Sequence, residues 1–203
     1  MYQHKGNIQM KKIAVVALAL GSFLGSSAVL ADNHTISLGY AQSRVQHFGN
    51  IRGGDIQYRY EWDSPFSVIG SFTYMKGNES EFNSYDNTDN PPVKVKDHTK
   101  IDIKYYSLLA GPAYRINDYI SPYGLVGVAH ANAKSAYDES IGDNTPSTEK
   151  NSFNATSFAY AAGIATNPIE NLAINVGYEG TNVRIDGDNS NINGFNVGIG
   201  YRF

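Results

Sequence analysis

The chain has no cysteine. That excludes a disulfide-stapled secreted mini-domain and thiolate metal sites, and leaves packing and hydrogen bonding to stabilise the fold. Beyond the first 31 residues no apolar run reaches the length of a membrane-spanning helix. There is no basic excess either, with 16 Lys and Arg against 19 Asp and Glu, so no nucleic-acid footprint and no nucleic-acid partner is implied. His34, His47, His98 and His130 lack metal-ligand spacing, and no cofactor is implied. Ser43, His47 and Asp55 fall along one polar stretch without the arrangement a catalytic triad needs. Asp186 to Asn191 resembles a calcium loop only briefly. Asn191 stands where the turn glycine belongs, and Val197 where a bidentate glutamate should close the site.

What is present begins with an export signal. Met10-Lys11-Lys12 is basic, Ile13 to Leu20 is unbroken apolar sequence, and Val29-Leu30-Ala31 offers small residues at the positions a signal peptidase reads. The reading is an upstream extension at 1–9, a cleaved signal peptide at 10–31, and one domain at 32–203. Cleavage after Ala31 removes three lysines and no acid, taking the net charge from −3 to −6.

The mature part is written in period two. Phe195, Val197, Ile199, Tyr201 and Phe203 alternate with Asn196, Gly198, Gly200 and Arg202, so a strand there has one apolar face and one small or polar face. An uncapped apolar strand at a chain end invites pairing with other chains. A membrane barrel closes it against the first strand. The same alternation recurs at Ile36, Leu38 and Tyr40; at Ile56, Tyr58, Tyr60 and Trp62; at Phe66, Val68, Phe72 and Tyr74; and at Leu172, Ile174, Val176 and Tyr178. Further strands are read at about 99–116, 121–136 and around Phe158 to Ile164. Short turns at Asp63-Ser64-Pro65, Asn117-Asp118 and Asn167 to Asn171 alternate with long polar stretches at 43–53, 76–98, 137–154 and 186–193. The fold expected is all-β: an eight-stranded antiparallel up-and-down transmembrane β-barrel with short periplasmic turns and long extracellular loops. A soluble lipocalin-like barrel is the alternative, and it requires the apolar residues of these strands to point inward.

Charged residues on the faces opposite the apolar ones are expected inside a barrel too narrow for a continuous channel. Arg59, Glu61, Asp102, Lys104, Glu179 and Arg202 form this group, read as an interior structural network because buried charges must pair. In the long loops Phe48, Phe82, Tyr85 and Tyr137 are read as aromatic anchors for a partner. Lys94, Lys96 and Lys100 are read as contacts to lipopolysaccharide phosphates.

Several ordered stretches resemble the Ail/OmpX/PagC/Lom family of small bacterial outer-membrane proteins, most nearly its OmpX members. They are G-Y-A-Q-S at 39–43, Y-R-Y-E at 58–61, V-I-G-S-F-T-Y at 68–74, A-G-P-A-Y-R-I-N-D at 110–118, Y-G-L-V-G-V at 123–128, N-P-I-E-N at 167–171, G-Y-E at 177–179 and G-Y-R-F at 200–203. The resemblance covers the strands and short turns along nearly the whole mature chain, and not the long loops. It implies a non-enzymatic surface protein of the Gram-negative outer membrane, in contact with lipid and lipopolysaccharide. Its loops would mediate adhesion to or invasion of host cells and complement resistance, meeting extracellular-matrix or complement-regulatory proteins. A structural or small-pore envelope component is the alternative, and a lipid-modifying barrel enzyme a third.

Overall fold

In a computed structural model the backbone is described for residues 34–46, 48–86, 94–141, 147–185 and 188–203. The upstream extension, the signal peptide and His47 lie outside the described residues. Eight strands follow in order: β1 (His34–Val45), β2 (Gly49–Glu61), β3 (Phe66–Asp86), β4 (Lys94–Tyr114), β5 (Ile120–Ile141), β6 (Ser147–Ile169), β7 (Leu172–Ile185) and β8 (Asp188–Arg202). Each pairs antiparallel with its neighbours in sequence, and β8 returns to β1 to close the barrel. At the seam the His34 and Phe203 amides and carbonyls bond reciprocally, at 3.0 and 2.8 Å.

The short turns form as read. Asn117 Oδ1 accepts from the Tyr119 and Ile120 amides, both at 2.9 Å, and so turns the chain from β4 into β5. Asn167 Nδ2 donates to the Leu172 carbonyl at 3.2 Å and steadies the β6–β7 turn beside a register irregularity between Thr166 and Ile169.

The long polar stretches are mostly extended strand. β3 runs on to Asp86 and β4 starts at Lys94, while β5 runs to Ile141 and β6 starts at Ser147. Strands of 21 to 23 residues thus stand beside β1, β2, β7 and β8, which have 12 to 15. Asn, Ser and Gly are poor strand formers in isolation. Here each has a partner in register, and cross-strand pairing outweighs intrinsic preference. The alternation is hidden because both faces of these extensions meet water and carry polar residues.

The barrel wall faces apolar side chains outward. Ile56, Phe72, Leu108, Val126, Val128, Phe158, Val176, Val197 and Ile199 are all exposed, which rejects the soluble lipocalin-like alternative. Aromatic rings mark both borders of this band. Tyr74 and Tyr106 pair at one, with centroids 5.0 Å apart, and Tyr60 with Trp62 and Phe66 with Tyr114 at the other, 5.4 and 5.2 Å apart.

Inside, three zones follow one another. Val45, Ile51, Met75, Ile103, Val183 and Ile192 close the end from which the long strands project. Buried polar groups fill the middle, and an arginine–glutamate cluster occupies the end where the termini meet. Gly163 and Gly177 make this packing fit: a Cβ on either would stand 2.4 Å from the Tyr123 hydroxyl, which reaches across from β5.

Candidate functional site

Two regions carry polar chemistry, the lumen and the projecting sheet. In the lumen the strand phase puts Arg59 and Glu61 of β2 and Arg202 of β8 inward, next to Arg115 at the end of β4. Arg59 Nη2 donates to Glu61 Oε1 at 2.7 Å and to Ser121 Oγ at 3.0 Å, while its Nε donates to Ser67 Oγ at 3.0 Å. Arg115 Nη2 donates to the same Glu61 oxygen at 2.8 Å. Arg202 Nε lies 2.8 Å from Glu61 Oε2, an ion-pair contact without hydrogen-bond alignment. Charges this buried need paired partners, and here one carboxylate serves three guanidiniums.

Higher in the lumen Glu179 accepts from the Tyr105 hydroxyl at 2.6 Å and from Thr73 Oγ1 at 3.1 Å. Sequence reasoning missed Arg115 and Tyr105. Arg115 lies just past β4 in phase with Ile103, Tyr105 and Leu109, the row that reads as lipid-facing in the sequence, so the alternation pointed it outward and only its charge spoke for the interior. For Tyr105 there was no polar cue, only its place in an apolar-looking row.

Two residues of the expected interior group are corrected. Asp102 and Lys104 point outward, because in β4 it is Ile103, Tyr105 and Leu109 that are buried. Within the bilayer band the apolar row meets lipid and the charged row meets the lumen. Above the bilayer band the relation reverses: apolar residues plug the barrel mouth and charges face water. Asp102 instead lies 4.0 Å from Lys100 on the outer surface.

On the projecting sheet, direct cross-strand partners form rows. Phe82, His98, Asp138 and Thr148 stand side by side on β3, β4, β5 and β6. The Phe82 and His98 rings stack at 3.9 Å, and Thr148 Oγ1 donates to Asp138 at 2.6 Å. Lys94, Lys96 and Lys100 share this outward face of β4 by the period of two. Tyr85 and Tyr137 belong to the opposite face, across from Val95 and Thr99. Phe48 is no free anchor. Beside β2 it packs half-buried against the core, with its ring next to Gly77.

Two further basic groupings emerge from the register. Arg52, Lys76 and Lys104 are direct neighbours across β2, β3 and β4, one step beyond the Tyr74–Tyr106 pair. Lys100, Lys134 and Lys150 surround Ala136 and line a groove of about 430 Å³ with Asp102. Among the described residues no group of three or more His, Asp or Glu could hold a metal ion. Ser43 and Asp55 both face the lumen.

The chain matches the outer membrane protein beta-barrel domain over residues 14–203. It belongs to that family. It is 43% identical to the virulence membrane protein PagC of Salmonella typhimurium across 96% of this chain and 100% of that one. It is 36% identical to outer membrane protein X of Enterobacter cloacae, with the same coverage. The crystal structure of Ail, the attachment invasion locus protein of Yersinia pestis, is 33% identical with a TM-score of 0.62, covering 85% of this chain and 99% of Ail. Ail has also been solved in complex with the heparin analogue sucrose octasulfate, a structure 35% identical to this chain with the same TM-score and coverage. Family and fold together place the protein in the outer membrane of a Gram-negative bacterium, with its short turns in the periplasm and its long strands outside.

Proposed function

We propose that the protein is a non-enzymatic surface adhesin whose binding element is the projecting sheet of β3, β4, β5 and β6. The observation that carries this reading is the sheet itself. Beyond Lys76 on β3 and before Ala159 on β6 the register has no second neighbour among the described residues, so the projection there has two free strand edges. A free edge offers backbone groups to an extended segment of a protein partner, such as a matrix or complement-regulatory protein. Relatives named for virulence and for attachment and invasion support the same reading, which extends to host-cell attachment, invasion and serum resistance.

The basic groove around Ala136 suits a sulfated glycan, since three lysines converge on one shallow surface and each adds a charge-assisted contact. Ail's complex with a heparin analogue makes this the partner class to test first. Folded protein in nanodiscs is expected to retain heparin and to lose about tenfold or more in affinity when Lys100, Lys134 and Lys150 are changed to Gln. Equal retention of desulfated heparin would exclude the groove as a sulfate site.

Lipopolysaccharide contact we assign to Arg52, Lys76 and Lys104. Like charges directly opposite on neighbouring strands repel, and an anion at the bilayer border relieves this. At about 3.3 Å per residue and a strand tilt near 40°, Lys94 stands about 25 Å above Lys104. Lys94 and Lys96 therefore serve the outer tip better than the lipid phosphates, and Phe82, Tyr85 and Tyr137 accompany them there.

A further inference from the structure

The periplasmic mouth of the barrel holds a cavity of about 640 Å³, lined among others by Arg115, Arg202, Glu61, Asp118, Glu170 and Asn167. Its volume falls in the range of small-molecule sites. Two turns build it, Ile116 to Tyr119 and Glu170-Asn171, and both are short and held by side-chain bonds to backbone.

Its floor is under-compensated in charge. Arg59, Arg115 and Arg202 all direct their ion pairs at Glu61, and among the described residues no other acid pairs with any of them. Arg59 and Glu61 are sealed, with side chains 6% and 2% exposed, whereas Arg115 and Arg202 keep 31% and 21%. Arg115 spends one N–H group on Glu61 and Arg202 makes only an unaligned ion-pair contact with it, while a guanidinium has five N–H groups. The remaining donors face a cavity open to the periplasm. At its rim Asp118 and Glu170 are exposed and make no ion pair with the floor.

We propose that this cavity binds the carboxylate of an amino-acid-like group, with the ligand's ammonium against Asp118 or Glu170. A planar fork of guanidinium donors is the group best matched to a carboxylate, and an acidic rim selects a zwitterion over a simple anion. In the periplasm beside the outer membrane, the polymer that carries both groups on one side chain is the stem peptide of the cell wall. The ligand class is therefore a diamino-acid carboxylate of peptidoglycan, and the barrel would rest its inner mouth on the wall. This inference uses the barrel's orientation and is independent of what the outer sheet binds.

The test is a titration of the labelled, folded protein in phosphatidylcholine nanodiscs, followed by amide chemical shifts. Three probes separate the contributions: meso-diaminopimelate, pimelate without the amines, and 1,5-diaminopentane without the carboxylates. Saturable shifts at Arg115, Asn167 and Asn171 are expected with diaminopimelate, weaker binding with pimelate, and none with the diamine. Arg115→Gln should weaken diaminopimelate about tenfold. Asp118→Asn should bring the two acids together, weakening diaminopimelate and leaving pimelate the same or slightly tighter. Shifts with the diamine alone, no saturable shift with any probe, or unchanged binding in a folded Arg115→Gln protein would overturn the proposal. Should Arg115→Gln not fold, the probe series on the parent and on Asp118→Asn decides by itself, and equal affinity for the two acids in the parent would refute the zwitterion site.

Discussion

Arg59 and Glu61 meet at 2.7 Å inside the barrel, two residues apart on β2 and both shut away from solvent. Glu61 is the only acid among the described residues that pairs with Arg59, Arg115 or Arg202, so it holds β2, β8 and the β4–β5 turn to one point. Replacing Glu61 by Gln keeps the shape and removes the charge, leaving three guanidiniums facing one another. Breaking a buried pair in this way costs about 3–5 kcal/mol. Thermal unfolding in detergent, read as the loss of heat-modifiable mobility on a gel, should begin well below the parent's temperature. Arg115→Gln should cost less, since Arg115 is partly exposed and Glu61 keeps two partners.

The row formed by Arg52, Lys76 and Lys104 makes a prediction about salt. Changing all three to Gln should weaken association with lipopolysaccharide at low ionic strength and flatten its decline as salt rises, because screened charge contacts account for the difference. Barrel stability should stay the same or rise slightly once the cross-strand repulsion is gone. Changing Lys94 and Lys96 instead should leave lipopolysaccharide association close to the parent's. The reverse ranking would return the lipid contacts to the strand tip.

Much of the barrel is legible in the alternation itself. Ile56, Tyr58, Tyr60 and Trp62 can share only one face, and in a membrane barrel that face meets lipid while the charged one meets the lumen. β4 resists the same logic. Ile103 and Leu109 lie on one side and Tyr106 and Leu108 on the other, so period two groups the residues without saying which group meets lipid. For that reason the sequence alone points Asp102 and Lys104 inward. The projecting strands are hidden by another cause, because a strand wet on both faces has no apolar period and its Asn, Ser and Gly look like loop. Arg115 shares the phase of Ile103 and Leu109, so it can be placed inside only once that row is known to face the lumen. The shared use of Glu61 cannot be read from phase at all, since it depends on three strands converging around a narrow lumen.

The seam predicts an assembly defect. Phe203 bonds reciprocally to the His34 backbone, and the His34 ring stacks on it with centroids 5.8 Å apart. Deleting Phe203 removes the last pairing step of β8 against β1 and an aromatic contact worth about 0.5–1.5 kcal/mol. Protein lacking it should accumulate unassembled in the periplasm, as seen by cell fractionation and the loss of heat-modifiable mobility. Full membrane insertion at the parent's level would contradict the role assigned to this contact.

The adhesin account is tested most directly by cutting away the projecting sheet and leaving the barrel. Asn78 pairs with Asp102 and Lys134 with Ser152, so joining β3 to β4 and β5 to β6 by tight turns just below these pairs keeps every remaining register intact. Attachment to cultured host cells is then compared between bacteria carrying the parent and bacteria carrying the trimmed barrel at equal membrane levels. The account predicts that the trimmed protein still inserts and stays heat-modifiable, while attachment falls to the level of cells without the protein. Attachment that survives in the trimmed barrel would place the binding surface elsewhere and contradict the account.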